Sequence, residues 1–104
     1  IYLNIAGGMK LNEPAVDLGI IATVASAYKN ISIPQSTVVM GEVGLTGEVR
    51  RINLIEKRLK EAEKLGFKTC IIPEHNKKQL KGTYNATIVG VKNIDEAMKY
   101  LKLK

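Results

Sequence analysis

Arg58 stands where a charge is costly. At about 100° per residue along a helix, Leu54, Ala62 and Leu65 bracket it closely, and Ile55 and Leu59 lie further round the same side. Lys57, Lys60, Glu61 and Lys64 fall outside that apolar stripe. A guanidinium held there must either run its stem along the core edge and reach water, or find a fixed partner. Asp17 poses the same problem one turn into a helix that carries Ile20, Ile21 and Val24 on the same flank. The positive end of the helix dipole eases its burial only in part.

Other reactive side chains do not assemble into a catalytic set. Cys70 is the single cysteine and His75 the single histidine, so neither an internal disulfide nor a multi-histidine metal site can form. Cys70 sits in an apolar run with Ile71 and Ile72 and reads as a core residue, whereas His75 belongs to a polar turn, Pro73-Glu74-His75-Asn76, and reads as exposed. Ser26 lies mid-helix, and Lys57 is about 100° around the helix from Arg58. Gly41, Gly44 and Gly47 are followed by no Gly-Lys-Ser/Thr, so they read as turn glycines and not as a phosphate loop. No cofactor or metal site is expected in this chain. Arg50, Arg51, Lys57, Lys60 and Lys64 fall within a short stretch and form a candidate phosphate-tracking surface. With one Phe, four Tyr and no Trp, base stacking is a poor alternative.

The elements that must position these residues follow from pattern. The chain has 104 residues, 45% of them hydrophobic and 25% charged, which is the composition of one small globular domain. Its net charge of +6 permits an anionic partner without requiring one. No apolar run approaches the roughly 20 residues of a membrane span; no signal peptide is evident, and a cytoplasmic location is expected. Ile1 to Ala6 alternates as a strand, ended by Gly7-Gly8. Asn12 and Glu13-Pro14 open a helix whose segment Val16 to Tyr28 is apolar nearly all round, which predicts a central, covered helix. Strands are expected over Thr37 to Met40, Glu48 to Ile52, Lys68 to Ile72 and Asn85 to Val91. Asn53 with Glu56 has the spacing of a capping box, Gly66 that of a helix stop, and Asn93 with Glu96 caps a last helix. Alternating strands and helices predict an α/β (α+β) domain.

Four linked segments carry a family resemblance. They are Asn4-Ile5-Ala6-Gly7-Gly8-Met9-Lys10-Leu11, Glu13-Pro14-Ala15-Val16-Asp17-Leu18, Gly41 through Arg50 (Gly-Glu-Val-Gly-Leu-Thr-Gly-Glu-Val-Arg), and Glu56-Lys57-Arg58-Leu59-Lys60-Glu61-Ala62 followed by Leu65-Gly66-Phe67. This order resembles the proteolytic domain of the Lon family, and more closely the Lon-like C-terminal domain of the RadA/Sms family of bacterial recombination ATPases. The resemblance implies a Lon-type mixed sheet with helices, of the β-α-β type shared with ribosomal proteins, over residues 1–104, with this chain an N-terminally truncated piece of a longer ATPase. In Lon peptidases a serine opens the first helix and a lysine stands on the second. Here those positions are Ala15 and Arg58: an alanine offers no nucleophile, and an arginine stays protonated. The resemblance further places Asp17 across the cleft from Arg58, so an ion pair between them is expected in place of the dyad, with Glu13 and Glu42 as competing acceptors. It implies a non-proteolytic module that helps build a homo-oligomer, a hexameric ring, and contacts single-stranded or branched DNA during repair and branch migration. ATP with Mg and zinc belong, on this resemblance, to preceding parts of the longer protein. The rival readings are an inactive or inactivated Lon-type serine–lysine peptidase domain and a pure assembly module without DNA contact.

Overall fold

The computed structural model of the chain describes residues 13–104. The strand expected over Ile1 to Ala6, the Gly7-Gly8 turn and Asn12 lie outside the described residues. A single 3-10 turn, Pro14–Val16, leads directly into α1, Asp17–Lys29. Then follow β1 (Thr37–Val39), β2 (Glu42–Val43), β3 (Val49–Arg50), α2 (Ile55–Lys64), β4 (Thr69–Pro73), α3 (Glu74–Lys78), β5 (Thr87–Val91) and α4 (Ile94–Tyr100). The strands β1, β4 and β5 form a parallel sheet in the order β1-β4-β5, with Val38 opposite Cys70 and Cys70 opposite Ile88. A separate antiparallel pair joins β2 to β3, with Glu42 opposite Arg50 and Val43 opposite Val49. The α/β class read from the pattern is the architecture of the molecule.

Period-two alternation divides the core into two layers. Val38, Cys70 and Ile72 point to one face and join Ala15, Leu59 and Ala62; Val39 and Ile71 point to the other and join Leu18, Ala22, Ala97 and Met98. Helix α2 therefore covers one face, and α1 with α4 covers the other. Leu18, Leu59, Ile71 and Ile72 are wholly inaccessible, and each such side chain contributes about 1.5–3 kcal/mol of transfer free energy. The parallel connections set the site's location. Helix α2 follows the β2–β3 hairpin, so the hairpin, the first turn of α1 and the first turn of α2 meet at the end of the sheet where β1 finishes. The contacts Leu18 N to Gly41 O (3.0 Å) and Gly41 N to Ala15 O (2.9 Å) fix that junction.

Three local expectations change. Helix α1 is not covered on most sides: Leu18 and Ala22 are buried, but Ile20, Val24 and Tyr28 form an exposed ridge. Asn53 does not cap α2. The N-cap is Leu54, in the left-handed region at φ 57°, with no side-chain cap, because the Asn53 amide oxygen is taken by Arg58. The segment Glu74 to Lys78 is a short helix and not a turn; His75 is exposed as expected, but Asn76 is buried. The other two helix signals act as expected: Gly66 turns the chain out of α2 at φ +91°, and Asn93 accepts the Glu96 amide at 2.9 Å.

Candidate functional site: a cleft and two basic surfaces

Pro14 and its neighbours, the β2–β3 hairpin and the segment entering α2 enclose a cleft of about 270 Å³. Glu13, Ala15, Glu42, Arg51, Asn53 and Arg58 line it. Ala15 lies in its wall at the start of the helical segment, held by the bond from Gly41 N to its carbonyl. Its methyl group presents no proton to abstract and no lone pair to attack with.

Arg58 is 6% exposed and fully engaged on one side. Its Nε donates to the Asn53 carbonyl oxygen at 2.9 Å, and Nη2 donates to Asn53 Oδ1 at 2.8 Å and to Glu13 Oε1 at 3.0 Å. The planar fork of the guanidinium makes this possible: one side chain spans the loop before its own helix and the segment before α1, a reach a lysine ammonium cannot reproduce. The partner is thus Glu13, and the expected Asp17–Arg58 pair does not form. Asp17 Oδ2 instead accepts the Val43 amide at 3.1 Å. The physical reason is the hairpin's edge. Val43 N–H points away from β3 and has no strand to bond among the described residues, and a part-buried donor without a partner is costly. Asp17, beside Gly41, is the acceptor within reach, and Glu13, one helical turn earlier, is left facing Arg58.

The basic residues do not share one surface. Arg50 is folded back into the hairpin, with Nε and Nη2 donating to Glu48 Oε2 at 3.1 and 2.8 Å and Nη1 lying 3.6 Å from Glu42. Arg51 is exposed at the cleft. Lys57, Lys60 and Lys64 are exposed along α2, where with Glu61 and Glu63 they line a shallow depression; Lys64 lies 3.8 Å from Glu61.

Glu48 organises the hairpin tip. It accepts from the Thr46 amide (3.1 Å) and hydroxyl (2.6 Å) as well as from Arg50, and a β-carbon at Gly44 would overlap its carboxylate. Hydrogen bonds from Thr46 and then Arg50 hold its carboxyl at about 2, below the ordinary 4.5. A carboxylate with a depressed value supports the folded hairpin fully above its ordinary range and loses that support as the pH falls toward the depressed value. The Thr46 amide proton shift is therefore expected to titrate near pH 2; a midpoint near 4.5 would show that the network is not formed in solution.

Two structural residues carried no sequence signal. Asn76 brackets Ile52, accepting its N–H at 2.9 Å and donating to its carbonyl at 3.0 Å. Glu63 accepts the Ala86 amide at 2.8 Å, tying α2 to the strand entering the sheet edge. Cys70 is buried, and burial, followed by the charge of Glu63, pushes its thiol up to about 11, so it is unreactive as a nucleophile. Among the described residues no group of three or more His, Cys, Asp or Glu could hold a metal ion, and no helix is long and apolar enough to cross a membrane.

Comparison with known proteins gives a consistent assignment. The family model described as subunit ChlI of Mg-chelatase matches residues 1–76. DNA repair protein RadA of Listeria monocytogenes is 48% identical over 98 residues, covering 94% of this chain and 21% of that protein. The RadA of Bacillus subtilis is 47% identical over the same length and coverage, and that of Chlamydia pneumoniae 41% identical over 103 residues, 97% of this chain and 23% of the relative. The chain thus spans about a fifth of the length of the curated relatives it matches. Alignment at this identity along nearly the whole chain means that it belongs to the RadA family of DNA repair proteins.

Proposed function

We propose that this chain is a non-proteolytic, Lon-like module of a RadA-type DNA-dependent ATPase that acts in DNA repair and homologous recombination. Its role there is to assist ring assembly and to contact single-stranded or branched DNA during branch migration. ATP hydrolysis and its Mg ion, and a zinc site, would belong to other parts of the longer protein. The observation that carries the reading is the cleft, where a tied-down Arg58 and Ala15 occupy the positions that the Lon resemblance gives to a base and its nucleophile. In place of the expected Asp17–Arg58 pair, the Glu13–Arg58–Asn53 cluster joins three segments, a structural joint where Lon peptidases carry their dyad. Peptide substrates are expected to stay intact with this chain and with the Ala15→Ser, Arg58→Lys double variant. Lysine cannot keep both Glu13 and Asn53 satisfied, and Asp17 still holds the hairpin edge. Turnover by the double variant above that of the unaltered chain would favour the inactivated-peptidase reading.

DNA contact is assigned to Lys57, Lys60 and Lys64 on α2, with Arg51 beside them in sequence. Arg50 adds least, because Glu48 and Glu42 already balance its charge. Contact of this kind tracks phosphates and is nearly blind to base sequence. For the isolated chain a Kd of about 10⁻⁴–10⁻⁶ M is expected, with a log–log salt slope of about −0.9 for each phosphate neutralised. Reversing Lys57, Lys60 and Lys64 to glutamate should abolish binding in a low-salt titration, and Arg51→Glu should weaken it. Unchanged binding after the triple reversal would support instead a pure assembly module, a reading favoured by the alternation of Glu61 and Glu63 with these lysines.

A further inference from the structure

The guanidinium of Arg58 uses only part of its hydrogen-bonding capacity. Its Nε–H goes to the Asn53 carbonyl, and Nη2 donates to both Asn53 Oδ1 and Glu13 Oε1. Nη1 carries a further pair of hydrogens, and these make no bond among the described residues. They are not sealed in. Tyr84 Oη is the one buried side-chain polar atom without a partner among the described residues, so Nη1 is reached from outside. The 7% of this side chain that is accessible opens on the cleft it lines. Because Asn53 and Glu13 fix the rest of the group, its open edge is oriented before anything binds.

The rest of the wall decides what fits. Arg51 is exposed at the cleft, and no hydrogen bond or ion pair holds it among the described residues. Helix α2 starts at the same wall with no side-chain cap, so its positive end adds to the field of the two arginines. The carboxylates that line the cleft are already engaged: Glu13 lies 3.0 Å from Arg58, and Glu42 3.6 Å from Arg50. The open donors therefore call for an anion, and their arrangement selects its shape. A planar carboxylate is gripped best by parallel N–H bonds from two neighbouring nitrogens, and Arg58 has only Nη1 left to give. A tetrahedral oxyanion, with oxygens in several directions, accepts from Nη1 and from Arg51 at once. At about 270 Å³ the cleft is smaller than the roughly 300–1,000 Å³ of pockets for drug-sized ligands. It has room for a phosphate group on a short carbon chain and for little more.

We propose that this cleft is a binding site for a small phosphomonoester, its phosphate held between Arg58 Nη1 and Arg51. At this end of the molecule Glu13, Glu42 and Glu48 offset Arg50, Arg51 and Arg58, so long-range attraction is slight and the grip comes from short charge-assisted hydrogen bonds. Affinity should be modest and fall only gently with salt. Contact with a nucleic-acid backbone, by contrast, falls steeply because it releases counterions. The site is separate from the α2 lysines assigned to DNA and does not depend on their role. What binds is a ligand and not a substrate, since Ala15 supplies no nucleophile.

Titrating the chain with glycerol phosphate, inorganic phosphate and acetate, followed by amide chemical shifts, tests the site. Glycerol phosphate should shift the amides of Arg51, Asn53 and Arg58 saturably and bind at least as tightly as inorganic phosphate. Acetate should bind at least about tenfold more weakly, equal to about 1.4 kcal/mol. Arg51→Gln changes an exposed residue outside the Glu13–Arg58–Asn53 cluster, so the chain should stay folded while its affinity for glycerol phosphate falls by a similar factor. Replacing Lys57, Lys60 and Lys64 with glutamine should leave that affinity nearly unchanged. Acetate bound as tightly as phosphate, shifts confined to the α2 lysines, or indifference to Arg51→Gln would each mean an adventitious ion only and overturn the site. Inorganic phosphate bound while the ester is refused, or no saturable shift at all, would overturn it too. So would displacement of glycerol phosphate by a short DNA duplex without terminal phosphates, which would make the cleft part of a DNA surface.

Discussion

Arg58→Ala should cost the chain about 3–5 kcal/mol of stability, the range found when one partner of a buried charge pair is removed. For a domain of this size that is a fall in Tm of at least about 12 °C. The loss has three parts. Glu13 loses its bond from the guanidinium, the Asn53 carbonyl and amide oxygen lose their donors, and the volume of the arginine stem is vacated beside Ala15 in the cleft wall. The carboxylate is partly exposed, with 32% of its side-chain surface accessible, so water takes up some of its charge and the lower end of the range is expected. Arg58→Lys should recover only part of the loss, since a point charge cannot serve Glu13 and both Asn53 acceptors in one plane. Thermal denaturation of the three proteins side by side measures this, and an alanine variant within about 0.5 kcal/mol of the parent would place Arg58 among ordinary surface residues.

Asn76→Ala is the second substitution with a large expected effect, about 2–6 kcal/mol. The Asn76 amide is the only side chain bonded to both the N–H and the carbonyl of Ile52 among the described residues. Its removal leaves two buried backbone groups without partners, each worth about 1–3 kcal/mol. The Ile52 segment connects the hairpin to α2 and lines the cleft, so the damage should localise there. Amide exchange at Ile52 should accelerate well beyond what the global loss of stability explains. Asn76→Asp keeps an acceptor for the Ile52 amide but sets a carboxylate against its carbonyl, so it should rescue little.

The fold was legible wherever burial is one-sided or complete. The strands β4 and β5 and helix α4 declare themselves through apolar runs and caps. Helix α1 is the instructive departure. Its nearly uniform apolarity predicts cover on most sides, yet only the Leu18–Ala22 side is buried by the described residues, and the remaining apolar ridge is surface. At the cleft, the discomfort of Arg58 could be read from the angular position of one charge in an apolar stripe. Its partner could not. Glu13 and Asp17 are one helical turn apart, and choosing between them requires knowing that the Val43 amide, on the side of its strand away from β3, claims Asp17. Asn53 misled for a related reason: its spacing to Glu56 is that of a capping box, but an arginine five residues on offers its amide oxygen a charged donor. The basic stretch has the same limit. Proximity in the chain places Arg50 with the lysines of α2, whereas the hairpin folds Arg50 back onto Glu48.

The central claim is that this cleft is held together through the pairing of Glu13 with Arg58. A double-mutant cycle tests it most directly, with Glu13→Gln, Arg58→Ala and the double variant compared by urea denaturation at neutral pH. The cycle cancels whatever other contacts each residue makes. A coupling of about 1 kcal/mol or more between the two positions is the expected result. Effects that simply add, within about 0.3–0.5 kcal/mol, would contradict the account and leave the cleft without a structural role for its arginine.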